Sequence, residues 1–374
     1  YVAKHLRVKD LKQLSIASKN FRYLFDHTVY KKYVFVKDLR EIPEQYYSSI
    51  TRIKYIPRNE CIHLLSKLAN LREIDDVDSV FKFASQYGHT EVVRLLLMDF
   101  RIDPSVNSNY AIKVASQRDH TEVVKLLLTN IRVDPSAGDN YAIKFASQNG
   151  YTEVVGLLLE DPNVDPSANN NHAILWASKN NHSKVVKLLL ADPRVDPSVD
   201  NNYAIRIASK NGHTEVVRLL LADSRVDPSV DGNYAIRWAS QYGHAEVVRL
   251  LLTDPRVDPS VNHNYVIGVA SQNGRLEVVR LLLTDSRVDP SDCDNFAIRW
   301  ASAYGHSEVV RLLLTDPMVD PSARENCAIK WAIEDDHLEV VKLLLADIRI
   351  NSSDCAIILL NWQVKMAMQK LLAE

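Results

Sequence analysis

Apolar residues along most of the chain fall into two short stripes that recur together. In residues 233–261, reading NYAIRWASQYGHAEVVRLLLTDPRVDPSV, one stripe runs through Ala235, Ile236, Trp238 and Ala239. The other runs through Val247, Val248, Leu250 and Leu251. Positions three and four apart share one face of a helix, so each stripe predicts a short amphipathic helix and the pair predicts a helix-turn-helix unit. The unit returns every 31 residues, marked by Ala111, Ala142, Ala173, Ala204, Ala235, Ala297 and Ala328, with Val80 and Val266 in the same place. A fixed period of this size marks units that bury their apolar faces against one another, which predicts an all-α solenoid.

The positions between the stripes refine the unit. Gly88, Gly150, Gly212, Gly243, Gly274 and Gly305 stand between the two helices, replaced by Asp119, Asn181 and Asp336. All are residue types that tolerate a left-handed backbone, so the turn requires positive φ. Alanine holds one place from Ala84 to Ala332 without exception, where a larger side chain would separate neighbouring helices. An asparagine precedes each first helix from Asn109 to Asn326 and is read as its N-cap. Twelve of the fourteen prolines lie in the DPxVDPS-like connections, which stop the second helix and return the chain stiffly to the next unit.

GHTEVVRLLL at residues 212–221 resembles the ankyrin signature G-H-x-E-V-V-x-L-L-L, with YAIRWAS standing where that family has TPLHxAA. The resemblance covers residues 79–350, read as nine ankyrin repeats. It implies an ankyrin-repeat solenoid that binds protein partners on a concave face built from first helices and finger turns. The family unit is usually two residues longer and ends in GADVNA, so the projecting fingers are expected to be shortened. Variable positions on that face supply the implied contacts: Gln86, Tyr87, Gln117, Arg118, Gln148, Asn149, Lys179, Lys210, Gln241, Tyr242, Gln272, Ala303 and Tyr304. Tyrosine and arginine are the residue types that most often carry binding hot spots.

The ends of the chain differ from the array. Residues 351–374 keep the second-helix spacing in VKMAMQKLLAE and read as a divergent closing repeat. Residues 39–78 read as a linker and a degenerate capping repeat, with ECIHLLS in phase with EVVRLLL. Residues 1–38 carry helical spacing without the repeat and resemble an F-box. Leu6, Lys9-Asp10-Leu11, Leu14, Ile16 to Arg22 with Phe21, Asp26 and Val29-Tyr30 fill places of that family's last two helices. The resemblance implies that Leu6, Leu11, Leu14, Phe21 and Tyr30 contact a Skp-family adaptor. The family's L-P-x-E opening is expected upstream of Tyr1. The alternative for this segment is a helical cap over the first repeat.

Composition narrows the function classes. Lys+Arg 45 against Asp+Glu 47 gives a net charge of -2, without the bulk basic field that holds nucleic acid. Cys61, Cys293, Cys327 and Cys355 form no CxxC pair, which favours a reducing compartment, cytoplasmic or nuclear. No apolar run approaches the ~18 residues that span a bilayer. Lys82, Lys113, Lys144, Arg206, Arg237, Arg299 and Lys330 share one first-helix place, forming either a track for an acidic partner or cations paired with nearby loops. Trp176, Trp238, Trp300 and Trp331 share a place otherwise filled by Phe, Val or Ile and are read as core.

Chemistry finds little support. Histidine recurs from His89 to His337, but stacked helices lie ~8–10 Å apart, whereas ligands of one zinc each lie ~2 Å from the metal. These histidines are therefore expected to form a structural ladder, with no metal and no cofactor. Nearly every Asp, His, Glu and Ser is copied from unit to unit, and repetition signals architecture rather than a unique catalytic set. The expected protein is not an enzyme and is monomeric by itself. The leading function is the substrate-recruiting subunit of an SCF-like ubiquitin ligase; the rival is an ankyrin scaffold or host-targeting effector without that connection.

Overall fold

The computed structural model describes residues 77–98, 102–350 and Leu360. The F-box-like segment and nearly all of both terminal capping repeats lie outside the described residues. Within them are eighteen helices and no strand. The first helices of successive units are α1 (Val77–Gln86), α3 (Val106–Gln117), α5 (Ala137–Asn149), α7 (Ala168–Lys179), α9 (Val199–Lys210), α11 (Val230–Tyr242), α13 (Val261–Gln272), α15 (Asp292–Ala303) and α17 (Ala323–Glu334). The second helices are α2 (Thr90–Leu97), α4 (Thr121–Leu128), α6 (Thr152–Leu159), α8 (Ser183–Leu190), α10 (Thr214–Leu221), α12 (Ala245–Leu252), α14 (Leu276–Leu282), α16 (Ser307–Leu314) and α18 (Leu338–Leu345).

Two compact units hold these elements. One contains residues 77–142 and 160–164, the other residues 143–159 and 165–350. Inside each unit, first helices pack on first helices and second helices on second helices, α1 on α3 and α2 on α4, and likewise from α7 through α18. The two stripes explain the layers. Ala204, Ile205 and Ala208 of α9 and Val216, Val217 and Leu220 of α10 have no exposed surface, nor have their counterparts Ala235, Ile236, Ala239, Val247, Val248 and Leu251. Helices of eight residues do not persist alone in water, so this shared core holds them.

The turn between helices carries the expected left-handed residue. Gly212 has φ +74, and a Cβ there would lie 2.5 Å from Nδ1 of His244 in the next repeat. Glycine takes this conformation without strain, and where Asn181 stands instead the facing His213 keeps its bond to the Lys179 carbonyl. That histidine belongs to a ladder: Nε2 of His120, His182, His213, His244, His306 and His337 donates to a carbonyl 34 residues earlier, at 2.9–3.0 Å. Tyr151 and Arg275 stand where the other repeats have histidine, and Nε of Arg275 donates to the Gln241 carbonyl at 3.0 Å.

The asparagines expected as N-caps lie inside the first-helix ranges, at the end of a left-handed kink, and do a different job. Each is the last of three residues with left-handed dihedrals, as in Asp200, Asn201 and Asn202 at φ 52, 54 and 55. Its Oδ1 instead accepts the backbone N–H of an aspartate 25 residues on, at 2.6–3.1 Å, in the pairs Asn109–Asp134, Asn171–Asp196, Asn202–Asp227, Asn233–Asp258, Asn264–Asp289 and Asn295–Asp320. These asparagines are buried. Each of these aspartates in turn closes the Asp-Pro-Ser turn, Asp227 Oδ1 accepting the N–H and hydroxyl of Ser229 at 2.9 and 2.6 Å. Asn, Asp and Gly fill most of the left-handed positions because for other L-residues that conformation costs roughly 1–2 kcal/mol each.

An arginine fork adds a third link between units. Arg225 binds Asp223 through Nε and Nη2 at 2.9 and 2.6 Å, while Nη1 donates to the Val195 carbonyl of the preceding connection at 2.6 Å. Arg256, Arg287 and Arg349 repeat the arrangement on Val226, Val257 and Val319. The arginine hydrogen bonds are the leading cause that holds the carboxyls of Asp192, Asp223, Asp254, Asp285 and Asp347 below their usual range.

Two outcomes are expected. Asn202→Ala should destabilise the array by about 2–4 kcal/mol, through an orphaned buried N–H and left-handed strain. Asn202→Gly, which keeps the conformation, should cost less; equal losses in urea titrations would refute the strain argument. The aspartates set a pH dependence. Their folded pKa values lie below the unfolded value of about 3.9, so the unfolded chain binds protons first as pH falls. Stability is full above about pH 4 and declines as pH drops through the lowered folded values, measurable as urea midpoints at pH 7, 4 and 3.

Candidate functional site

The residues expected on the partner face sit at the C-terminal ends of the first helices, where a left-handed residue turns the chain. Gln86 and Tyr87 end α1, and Gln117 and Arg118 end α3. Gln148 and Asn149, Lys179, Lys210, Gln241 and Tyr242, Gln272, Ala303 and Tyr304 follow at the corresponding places. All are partly or fully exposed, and Tyr242 and Tyr304 are 43% and 51% exposed. Their backbone is engaged in architecture. The carbonyls of Gln86, Gln148, Lys179, Lys210, Gln272 and Ala303 accept the histidine ladder, and that of Gln241 accepts Arg275. The side chains therefore vary without disturbing the stack.

Aromatic rings and cations meet along this face. In the first compact unit the Arg118 guanidinium lies 5.5 Å from the Tyr87 ring centre, Tyr87 lies 4.5 Å from Phe83, and the Tyr110 hydroxyl donates to Gln86 Oε1 at 3.2 Å. In the second, Lys179 Nζ stands 4.2 Å from the Trp176 ring, and Lys210 Nζ stands 4.5 Å from Trp238 and 5.6 Å from Tyr242. Trp300 stacks on Tyr304 at 5.7 Å and meets Trp331 at 5.5 Å. An open pocket of about 490 Å³ is lined there by Trp300, Ala303, Tyr304, Trp331, Asp335 and His337.

The tryptophans correct the sequence reading. Val114, Ile207 and Val269 are buried at this place, but Trp176, Trp238, Trp300 and Trp331 are only half-buried. The space beneath suits a branched aliphatic side chain, and an indole overflows onto the surface. Large aromatic alternating with small aliphatic at one core position was the signal for these residues.

Charge on the face is graded within the second unit. Lys179 and Lys210 lie toward one end; Glu334, Asp335 and Asp336 are exposed at the other. The expected basic stripe is drawn into local contacts. Arg206 pairs with Asp231 and lies 5.4 Å from the Tyr234 ring; Arg237 lies 4.7 Å from Tyr265; Arg299 donates to the carbonyls of Asp294 and Cys293 at 2.8 and 2.9 Å. Lys330 lies 3.8 Å from Glu325. His172 stacks on Trp176 at 5.5 Å, and burial, followed by the charge of Lys144, lowers its pKa, so the ring is neutral at pH 7. The five F-box-like positions, Leu6, Leu11, Leu14, Phe21 and Tyr30, lie outside the described residues. Away from the face, ligand atoms of His263, Asp292 and Cys293 lie within 4.8 Å of one another.

Stacked helix-turn-helix repeats with a buried core inside each compact unit and variable exposed first-helix ends define a helical-repeat binding scaffold. The chain belongs to the ankyrin repeat family, whose model, "Ankyrin repeats (3 copies)", matches residues 81–170, 114–201, 174–263 and 267–354. No curated protein matches the chain. Ankyrin repeats are protein–protein interaction modules and are generally non-enzymatic. Among the described residues no helix is long and apolar enough to cross a membrane.

Because Trp238 is only partly buried, Trp238→Ala is expected to cost less than the fully buried Leu251→Ala, for which about 2–5 kcal/mol is expected. Equal losses in chemical denaturation would return the indole to the core.

Proposed function

We propose that the protein recruits a protein partner onto the C-terminal ends of its first helices. One observation carries this reading: at these positions exposed or half-buried tyrosines and half-buried tryptophans lie beside lysine and arginine, and their identities change from repeat to repeat. Fixed aromatic rings bury large areas at low cost in conformational entropy, and arginine adds charge-assisted contacts. The charge gradient favours a partner segment with acidic residues facing Lys179 and Lys210 and a basic residue facing Asp335.

The F-box-like residues Leu6, Leu11, Leu14, Phe21 and Tyr30 support a finer reading, in which the protein is the substrate-recruiting subunit of an SCF-like ubiquitin ligase. The N-terminal segment would dock a Skp-family adaptor, the repeats would hold the target, and ubiquitin transfer would occur on another subunit. The rival is a scaffold or host-targeting effector with the same binding face and no adaptor.

Two measurements separate these readings. With a cross-linked and identified partner, alanine at Tyr87, Arg118, Tyr242 and Tyr304 together should weaken binding at least tenfold; unchanged affinity would remove the face. Co-purification with a Skp-family adaptor, abolished by Leu11→Asp with Phe21→Asp, would support the ligase reading. Target binding without adaptor binding leaves the scaffold.

A further inference from the structure

A departure from the repeat carries information that the repeat itself does not, and three departures converge at one junction. Asp292 begins α15 where every other described first helix from α3 onward begins with Val or Ala. Cys293 fills a left-handed slot held elsewhere by Asn, Gly, Asp or Arg, and His263 fills one held by Ser, Asp, Asn, Gly or Glu. One residue comes from the turn of α13 and two from the turn of α15, yet an imidazole nitrogen, a carboxylate oxygen and the thiol sulfur lie within 4.8 Å of one another.

The surroundings orient the group. Asp292 Oδ2 accepts the Asn264 amide at 2.8 Å, and Oδ1 accepts the Cys293 N–H at 2.6 Å. His263 Nδ1 lies 3.8 Å from Asp292 Oδ1. His263 and Cys293 take left-handed dihedrals, φ 59 and 54, which fix where their side chains leave the backbone. Asp292 and Cys293 are neighbours in the chain, and His263 of the preceding repeat comes within reach of both.

We propose that His263, Asp292 and Cys293 bind a zinc ion that staples two consecutive repeats. Sulfur with nitrogen favours zinc over calcium or magnesium, which take oxygen. Tetrahedral zinc with bonds of about 2.0–2.3 Å brings its ligands to roughly 3.3–3.8 Å from one another. Rotation of the exposed imidazole and thiol by about 1 Å closes that difference. The thiol binds as thiolate and releases its proton, and water completes the fourth position. The spacing argument against metal concerns the ladder histidines, and His263 stands outside that ladder.

The test is metal titration of the full chain under a non-thiol reductant. Zinc calorimetry should find a site that Cys293→Ser removes and that His263→Ala or Asp292→Asn weakens at least tenfold, with Cys327→Ser unchanged. Cobalt(II) in place of zinc should give a thiolate charge-transfer band that disappears with Cys293→Ser. Circular dichroism of each variant confirms that the fold persists. Absence of binding, or a site and band that survive Cys293→Ser, would overturn the proposal. Either result is independent of partner binding at the opposite ends of the first helices.

Discussion

A buried asparagine in a left-handed turn holds the backbone of the following repeat, and the arrangement of the array depends on that bond. Its oxygen meets an aspartate N–H 25 residues away in unit after unit. The aspartate side chain then closes the serine turn that leads into the next left-handed turn. Position and conformation are thus passed along the chain by one repeated relay. The histidine bond at 34 residues and the arginine bond at 30 fix the other two edges of the same junction. A rigid-body misplacement of one repeat would break all three, which is why short helices of modest propensity form a regular stack.

Much of this architecture was legible because repetition amplifies weak signals. The period, the invariant alanine at Ala208 and its equivalents, the left-handed turn at Gly212 and the structural histidines all follow from residue type at fixed spacing. The asparagine's partner did not. Sequence says that a carboxamide is wanted before the first helix, but two orphan N–H groups compete for it, and only the handedness of the preceding turn decides between them. The tryptophans failed for a different reason. Helical periodicity counts an indole as apolar whether or not the space below accepts it, so Trp238 and Ile207 look equivalent in sequence and differ on the surface. The N-terminal resemblance rests on residues outside the described part of the fold.

Architecture and the proposed recognition use different atoms of the same residues. At Lys179, Lys210 and Gln272 the carbonyl serves the next repeat while the side chain faces outward. Ankyrin scaffolds share structure while specificity rests on a few exposed side chains, and this division supplies a mechanism for that separation. Half-buried aromatic rings sit between the two roles. Their inner edges complete the stack and their outer edges lie on the proposed contact surface, so on that reading a substitution there changes binding and packing together.

The span of these bonds has a consequence for synthesis. Among the described residues, the cross-repeat hydrogen bonds of the histidine, asparagine and arginine links span 25 to 35 residues. Contacts this local place the array among low-contact-order folds, which form rapidly because little loop-closure entropy must be overcome. During translation a repeat can dock as soon as about one further repeat has cleared the ribosome, and the growing edge exposes a single apolar face at a time. Synthesis from the N-terminus thus favours docking repeat by repeat in chain order.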